Sequence, residues 1–451
     1  MSRKVELAAS LVQTARAAPL LNRKPMFHSN FHRARKFADK LGAGLITGAA
    51  DDDPSGLATY SQAGAQFGAG LLWTMAFTTP LMIAIQMVSA RIGWFTGQGL
   101  AASMRRVMPR GLTVAIVALL VFANTLNIAA DIAAMGDALQ LVVGGPEHGH
   151  ALVFGVLCTV LPLWLGFDAM VRVLKWLTLA LLAYVAVVFM LHVNWEAVLI
   201  RTLVPRLQSN GAYWMMVVAV LGTTISPYLF FWQAAQEAEE RQRLDAKADA
   251  GSQFALTELF AQEHLSRIKL DTVVGMVFSN LIAFCVMLAT ALTLNQHGIT
   301  DIQSTKQAAE ALRPLAGDFA FTLFALGIIG TGMLAVPVLA AASAYAVADA
   351  FQWRSGLDHR LVEARGFFTV IALGTVAGTL VNFTALDPIK ALVWSAIVNG
   401  VIAVPIMAVM MWLGMRRDIL GDHTLTRRHR VMGWLATAVM AIAVMAMVAS
   451  G

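Results

Sequence analysis

The chain has 451 residues, of which 58% are hydrophobic and 13% charged, with a mean hydropathy of +0.67. A soluble domain carries about a quarter charged residues, so this composition excludes a water-soluble enzyme or binding module and points to a chain that lives in a bilayer. The net charge of +6 follows from membrane orientation and does not make nucleic acid a partner.

In chain order, residues 1–40 are polar and basic, with Arg33-Ala34-Arg35-Lys36 just before the first apolar run. They are expected to form a cytoplasmic tail that touches anionic headgroups. Residues 5–21 are partly apolar, but Glu6 and Arg16 make them a poor signal-peptide core. Apolar runs long enough to cross about 30 Å of hydrocarbon then recur at 41–67, 70–90, 111–135, 151–167, 171–194, 212–236, 270–294, 318–350, 366–384, 388–415 and 432–449. This predicts an all-α integral membrane protein of about eleven spans. Only Gly166-Phe167-Asp168, Arg172 and Lys175 separate the fourth span from the fifth. The polar insertion at 237–269, with its mixed charges, predicts a helical extension broken at Gly251-Ser252. Residues 295–317 read as an external loop with a short helix at 303–313.

Charge placement supports this count. With the N-terminus in the cytoplasm, 28 of the 33 Lys and Arg fall on the cytoplasmic side, leaving Arg201, Arg206, Lys306, Arg313 and Lys390 outside. That asymmetry is what the positive-inside rule requires, and an odd span count puts the C-terminus outside. Cys158 and Cys285 sit mid-span and imply no disulfide. Glycine spacings at Gly64/Gly68, Gly93/Gly97 and Gly374/Gly378 permit close helix approach. Trp73, Trp94, Trp214 and Trp394 lie near span ends and read as interface anchors. The 23 methionines scatter across lipid-facing spans, where bulk packing explains them better than a metal relay.

Two spans carry proline interruptions, Asp53-Pro54-Ser55-Gly56 in the first and Ser226-Pro227-Tyr228 in the sixth. Proline removes a helical hydrogen bond, and in lipid the freed groups need protein, water or an ion. Broken spans in corresponding positions of two halves point to a transporter's substrate site. Residues 41–50 and 212–225 would be half-helices with their partly negative C-terminal ends at mid-membrane. With Asp53 beside them, and no Lys or Arg near either break, they make a cation site. An aspartate before proline also caps helices, as Asp387-Pro388 is expected to do, but a mid-span carboxylate leans functional. Asp51 and Asp52 are either vestibule carboxylates or solvated residues.

At these residues the chain resembles the NRAMP family of divalent metal transporters. The run from Asp53-Pro-Ser-Gly through Gln62-Ala-Gly-Ala-Gln-Phe-Gly68 is similar to that family's first-span signature. The resemblance implies a LeuT-like inverted repeat of five plus five spans with broken first and sixth helices, alternating access, and a metal site between those helices. Repeat one would cover 41–194 and repeat two 212–415, with 416–451 adding a loop and the eleventh span. A bacterial inner (plasma) membrane is the expected location. The divalent ion is substrate, and no cofactor is expected.

The departures from the family carry information too. Its Asp-Pro-Gly-Asn has Gly56 at the Asn position here, and its Met-Pro-His becomes Ser226-Pro227-Tyr228. Thioether sulfur selects soft transition ions, whereas oxygen ligands suit magnesium, calcium and manganese. The expected ligand set is therefore Asp53, Ser226, a carbonyl near Thr223, and a roomier space at Gly56. This pattern resembles the divergent NRAMP-related magnesium transporters, since Mg²⁺ keeps several waters. No histidine lies in the sixth span, and Asp131 is followed by Ala134 where the family carries Glu. Asp131 is either a relay remnant or a neutral interhelical hydrogen-bonding group. Transport without proton coupling is expected. Asn399 on the tenth span is either near the ion or in an interhelical bond; Tyr228 either lines the exit path or packs; Asp52 is a pathway candidate. The rivals are a proton-coupled transition-metal importer, an amino-acid or organic-cation carrier on the same fold, and, last, an intramembrane enzyme, for which no nucleophile and base pair is visible.

Overall fold

The structure, a computed structural model, describes residues 48, 50–165, 178–247, 258–357, 359–383 and 387–450. Apart from single-turn segments, these form helices in the order α1 Pro54–Phe67, α2 Leu72–Thr96, α3 Leu100–Arg105, α4 Arg110–Val143, α5 Glu147–Leu165, α6 Leu182–Met190, α7 Trp195–Leu203 and α8 Gly211–Thr224. There follow α9 Pro227–Lys247, α10 Glu258–Thr293, α11 Thr305–Glu310, α12 Ala320–Phe351, α13 Arg365–Val381, α14 Pro388–Gly414 and α15 Arg427–Ser450. No strand occurs among the described residues.

Both proline motifs open helices. Pro54 and Pro227 stand at the first positions of α1 and α9, where a missing N–H costs nothing and φ is preset. Before them, Ala50 and Asp51 are helical and the chain leaves the helix at Asp52, while α8 stops at Thr224. Asp387 accepts from the N–H groups of Ile389 and Lys390, so the tenth span starts as its Asp-Pro pair predicts. The third span runs on to Val143, eight residues beyond the expected end: Gly136, which reads as a stop, is carried inside the helix, and the chain leaves it at Gly144, where φ is 75°.

Among the described residues, seven helical runs are long and apolar enough to cross a membrane, and three shorter apolar helices accompany them. One run, Pro54–Thr96, holds both the first and second expected spans, joined by a 3₁₀ turn at Gly68–Leu71. Together they account for the eleven apolar segments. The residues expected to divide the fourth span from the fifth, the basic tail and Gly251-Ser252 lie outside the described residues. The external loop contains two short helices, Thr305–Glu310 and Arg313–Ala316, in place of one.

The helices that carry the breaks pack closely against their neighbours. α10 lies against α1 and α14 against α8, and a Cβ on Gly64 would meet the Met287 carbonyl and Thr290 Oγ1. Gly222 and Gly400 bring the backbones of α8 and α14 together in the same way. The Gln62 side chain clamps the 295–317 loop: Oε1 accepts from Ile302 N at 2.9 Å and Nε2 donates to Thr300 O at 3.3 Å. Two expectations change here. Trp94 is no interface anchor, being fully buried with its ring stacked on His264 at 3.4 Å. Methionines such as Met135, Met407 and Met410 are wholly buried in the core, still as packing residues.

Candidate cation site at the broken helices

Asp53 is the N-cap of α1. Its Oδ1 accepts from Gly56 N at 2.6 Å, and its Oδ2 accepts from Asn127 Nδ2 of α4 at 2.8 Å. The cap and the candidate ligand are therefore one residue, 3% exposed at the junction of two broken spans. Asn127 in turn accepts a long 3.5 Å bond from Asn399 Nδ2 of α14. Asn399 thus touches the site through Asn127, with its own Oδ1 buried and unpartnered among the described residues.

Asp131 lies one turn beyond Asn127 on α4. Its Oδ1 accepts from Ser55 N at 3.2 Å, and its Oδ2 has no hydrogen-bond partner among the described residues. The start of α1 is thus held by two carboxylates, Asp53 and Asp131, as a helix N-terminus favours. Ser55 Oγ donates to Leu392 O at 2.9 Å, fixing the same turn to α14.

Gly56 marks where oxygens gather. The position a Cβ would occupy lies 3.0 Å from Thr223 Oγ1, 3.3 Å from the Asp51 carbonyl and 3.4 Å from Asp53 Oδ1. The room left by the missing side chain is taken up by the Thr223 hydroxyl, so this point is a close oxygen cluster and not an open space. At the sixth-span break, Ser226 Oγ donates to the carbonyls of Gly222 and Thr223, both at 2.8 Å. These are two of the end carbonyls a helix leaves unsatisfied. The Thr223 carbonyl is therefore engaged by Ser226, and it is the Thr223 hydroxyl that faces the cluster. Thr224 Oγ1 bonds back to Val220 O. The two breaks are tied directly: Tyr228 Oη donates to Ala50 O at 2.8 Å, and Tyr228 is 1% exposed.

Asp51 and Asp52 are buried, not solvated. Ser279 of α10 bridges them, its Oγ 2.7 Å from Asp51 Oδ2 and 3.1 Å from Asp52 Oδ1. Asp51 Oδ1 is buried without a hydrogen-bond partner among the described residues. No ion pair among the described residues reaches Asp51, Asp52, Asp53 or Asp131. Buried charge without a partner is costly, so a cation is the natural counterpart of this cluster. Nor do the described residues contain a group of three or more His, Cys, Asp or Glu arranged to hold a metal. Any ion here must use hydroxyl, carbonyl or water oxygens beside the carboxylate.

Asn127, Ser279 and the Asp51 carbonyl were not evident as site groups from sequence. For Asn127 a signal existed: it stands four residues before Asp131, on the same helix face.

A family model described as "Natural resistance-associated macrophage protein-like" matches residues 44–450. The chain is 27% identical over 419 residues to a divalent metal cation transporter MntH of Verminephrobacter eiseniae, covering 90% of this chain and 87% of the relative. It is 26% identical to a protein of the same name from Klebsiella pneumoniae strain 342, covering 92% and 94%. In fold it is similar to the manganese transporter of Eremococcus coleocola, with a TM-score of 0.68 at 17% identity, covering 89% of this chain and 84% of that one. It is also similar to Mhp1, a nucleobase-cation-symport-1 family transporter, with a TM-score of 0.57 at 13% identity, covering 90% and 91%.

Proposed function

The chain belongs to the Nramp family, and we propose that it carries divalent metal cations across the membrane by alternating access, with Mg²⁺ and Mn²⁺ as its ions. Divalent cation transport is the function of the named relatives. The ion preference rests on one observation: the donors gathered at Gly56 are all oxygens, from Asp53, Thr223 and the Asp51 carbonyl. No thioether or imidazole is among them. Oxygen donors suit hard ions, and Mg²⁺ binds through one or two carboxylates while keeping waters.

In this reading Asp53 is the charged ligand, Gly56 and Thr223 shape the cluster, and Ser226 offers a lone pair while its proton stays on the α8 carbonyls. Asp52, Asp131, Tyr228 and Asn399 surround it. Residues 41–194 and 212–415 act as the two repeats, and 416–451 supplies the eleventh span. The N-terminus faces the cytoplasm of a bacterial inner membrane, and the C-terminus faces outside. Transport needs no proton: an inward-moving charge of two gains about 4.6 kcal/mol per 100 mV.

One observation favours a second reading, proton-coupled import of transition ions. Asp131 persists at the start of α1, buried, with Oδ2 unpartnered among the described residues. Uptake of Mg²⁺, Mn²⁺ and Ca²⁺ into proteoliposomes containing an internal pH dye separates the two. The expected result is Mg²⁺ and Mn²⁺ uptake driven by an imposed potential, with no acidification. Metal-dependent acidification would establish the second reading, and an absence of uptake for all three ions would remove the first.

A further inference from the structure

Arg91 is a buried charge that the cation site does not use. It sits near the C-terminal end of α2, 8% exposed, and no carboxylate pairs with it among the described residues. Its guanidinium is held in place: Nη2 donates to the His423 carbonyl at 3.0 Å, and Cζ lies 5.2 Å from the centre of the Phe95 ring. That ring also stacks on His423 at 4.2 Å. Its Nε remains buried with no hydrogen-bond partner among the described residues. A fixed, buried cation with a spare donor calls for an anion.

The surroundings say which kind of anion. α2 packs against both α10 and α15, and Ile268 of α10 packs with Ala90 and Trp94, on either side of Arg91. Arg91, Lys269 of α10 and Arg428 of α15 all lie close enough to His429 of α15 for their charges to act on it; Lys269 and Arg428 are exposed. Above the basic residues, both helices turn large apolar side chains outward. On α15 these are Val431 at 58% and Leu435 at 47% exposed, in register with Arg428; on α10 they are Leu270 and Val277. Of the acids near the patch, Asp418 is bound by Arg416 at 2.9 Å, Asp422 is exposed, and Asp271, two residues from Lys269, is buried.

A free anion would need the charge but not the apolar surfaces. We propose that Arg91, Lys269, Arg428 and His429 form a headgroup site for an anionic glycerophospholipid, with its phosphate at the basic cluster and its acyl chains along the outer faces of α10 and α15. Basic pockets between membrane helices bind such headgroups on the cytoplasmic side, the side the charge distribution assigns to this end. The site is separate from the cation cluster and stands whether or not the transport reading does.

The test uses the full chain, purified and delipidated in detergent. Its unfolding temperature is measured with added phosphatidylglycerol, with phosphatidylcholine of the same acyl chains, and with inorganic phosphate. Phosphatidylglycerol is expected to raise the unfolding temperature above the phosphatidylcholine value. The double variant Lys269→Gln/Arg428→Gln, changed only at exposed positions, is expected to lose at least half of that increment while unfolding normally in phosphatidylcholine. An equal effect of phosphatidylcholine, or an undiminished increment in the variant, would overturn the site. An equal effect of inorganic phosphate would overturn the lipid as its occupant.

Discussion

Asn127 Nδ2 donates to Asp53 Oδ2 at 2.8 Å, so the carboxylate that caps α1 is aimed by a residue of α4. The other carboxylate oxygen is fixed by Gly56 N. With both oxygens oriented, the Asp53 carboxylate is held in a set geometry, which in the proposed ligand role leaves it little freedom to lose. The same bonds satisfy the buried charge in part, which is how a carboxylate is tolerated at a helix break inside a membrane. Hydrogen bonds to charged groups contribute about 1.5–3 kcal/mol each, so the arrangement depends on both donors.

The cap and the ligand roles of Asp53 can be separated by substitution. Asparagine caps helices as well as aspartate does, whereas alanine costs typically ~1 kcal/mol. Asp53→Asn keeps the acceptor for Gly56 N but sets an NH2 against Asn127 Nδ2, so it is expected to lose some stability and to lose Mg²⁺ and Mn²⁺ binding; Asp53→Ala, which loses the cap as well, is expected to lose binding and more stability. Calorimetric titration and thermal unfolding of both variants check this. Normal binding by Asp53→Asn would leave the residue only its cap.

What the sequence disclosed follows from local chemistry. Proline at positions 54 and 227 dictates where helices restart, and an aspartate before proline predicts a cap, so the breaks and Asp53 were legible. Contacts across the fold were not. Ser279, which bridges Asp51 and Asp52, is 228 residues from Asp51 in the chain, and nothing in a mid-span serine announces such a partner. Trp94 reads as an interface anchor from its place near a span end, yet α9 and α10 close over it. Gly56 reads as added room, until the Thr223 hydroxyl from another helix is found beside it.

Ser226 stands where the wider family carries methionine. Its hydroxyl proton is committed to the carbonyls of Gly222 and Thr223, so Ser226→Met changes two things at once: it uncaps the end of α8 and supplies a thioether. Relative affinity is expected to move from Mg²⁺ toward Cd²⁺, because sulfur favours softer ions. Ser226→Ala is the control that removes the cap alone and should leave the ion ranking unchanged. Competition binding with the two metals measures both variants. An unaltered ranking in Ser226→Met would mean that this side chain does not face the ion.

Tyr228 Oη and Ala50 O join the two breaks at 2.8 Å. Alternating access requires the broken helices to move relative to one another, and a bond between them opposes that movement wherever it is intact. Tyr228→Phe keeps the packed ring and deletes only the hydroxyl, leaving the Ala50 carbonyl to find water or the ion. A neutral hydrogen bond contributes a net ~0.5–1.5 kcal/mol, equivalent to a roughly two- to thirteenfold shift in the equilibrium between the tied and separated arrangements. Asp53 and Thr223 remain in place, so metal affinity measured at equilibrium should change no more than that shift allows, while the rate of uptake changes with it. Parallel measurement of Mn²⁺ affinity in detergent and initial uptake rate in proteoliposomes distinguishes the effects. Wild-type values for both would show that the bond takes no part in the cycle. Loss of binding comparable to Asp53→Ala would instead make the Tyr228 hydroxyl part of the ion's own coordination.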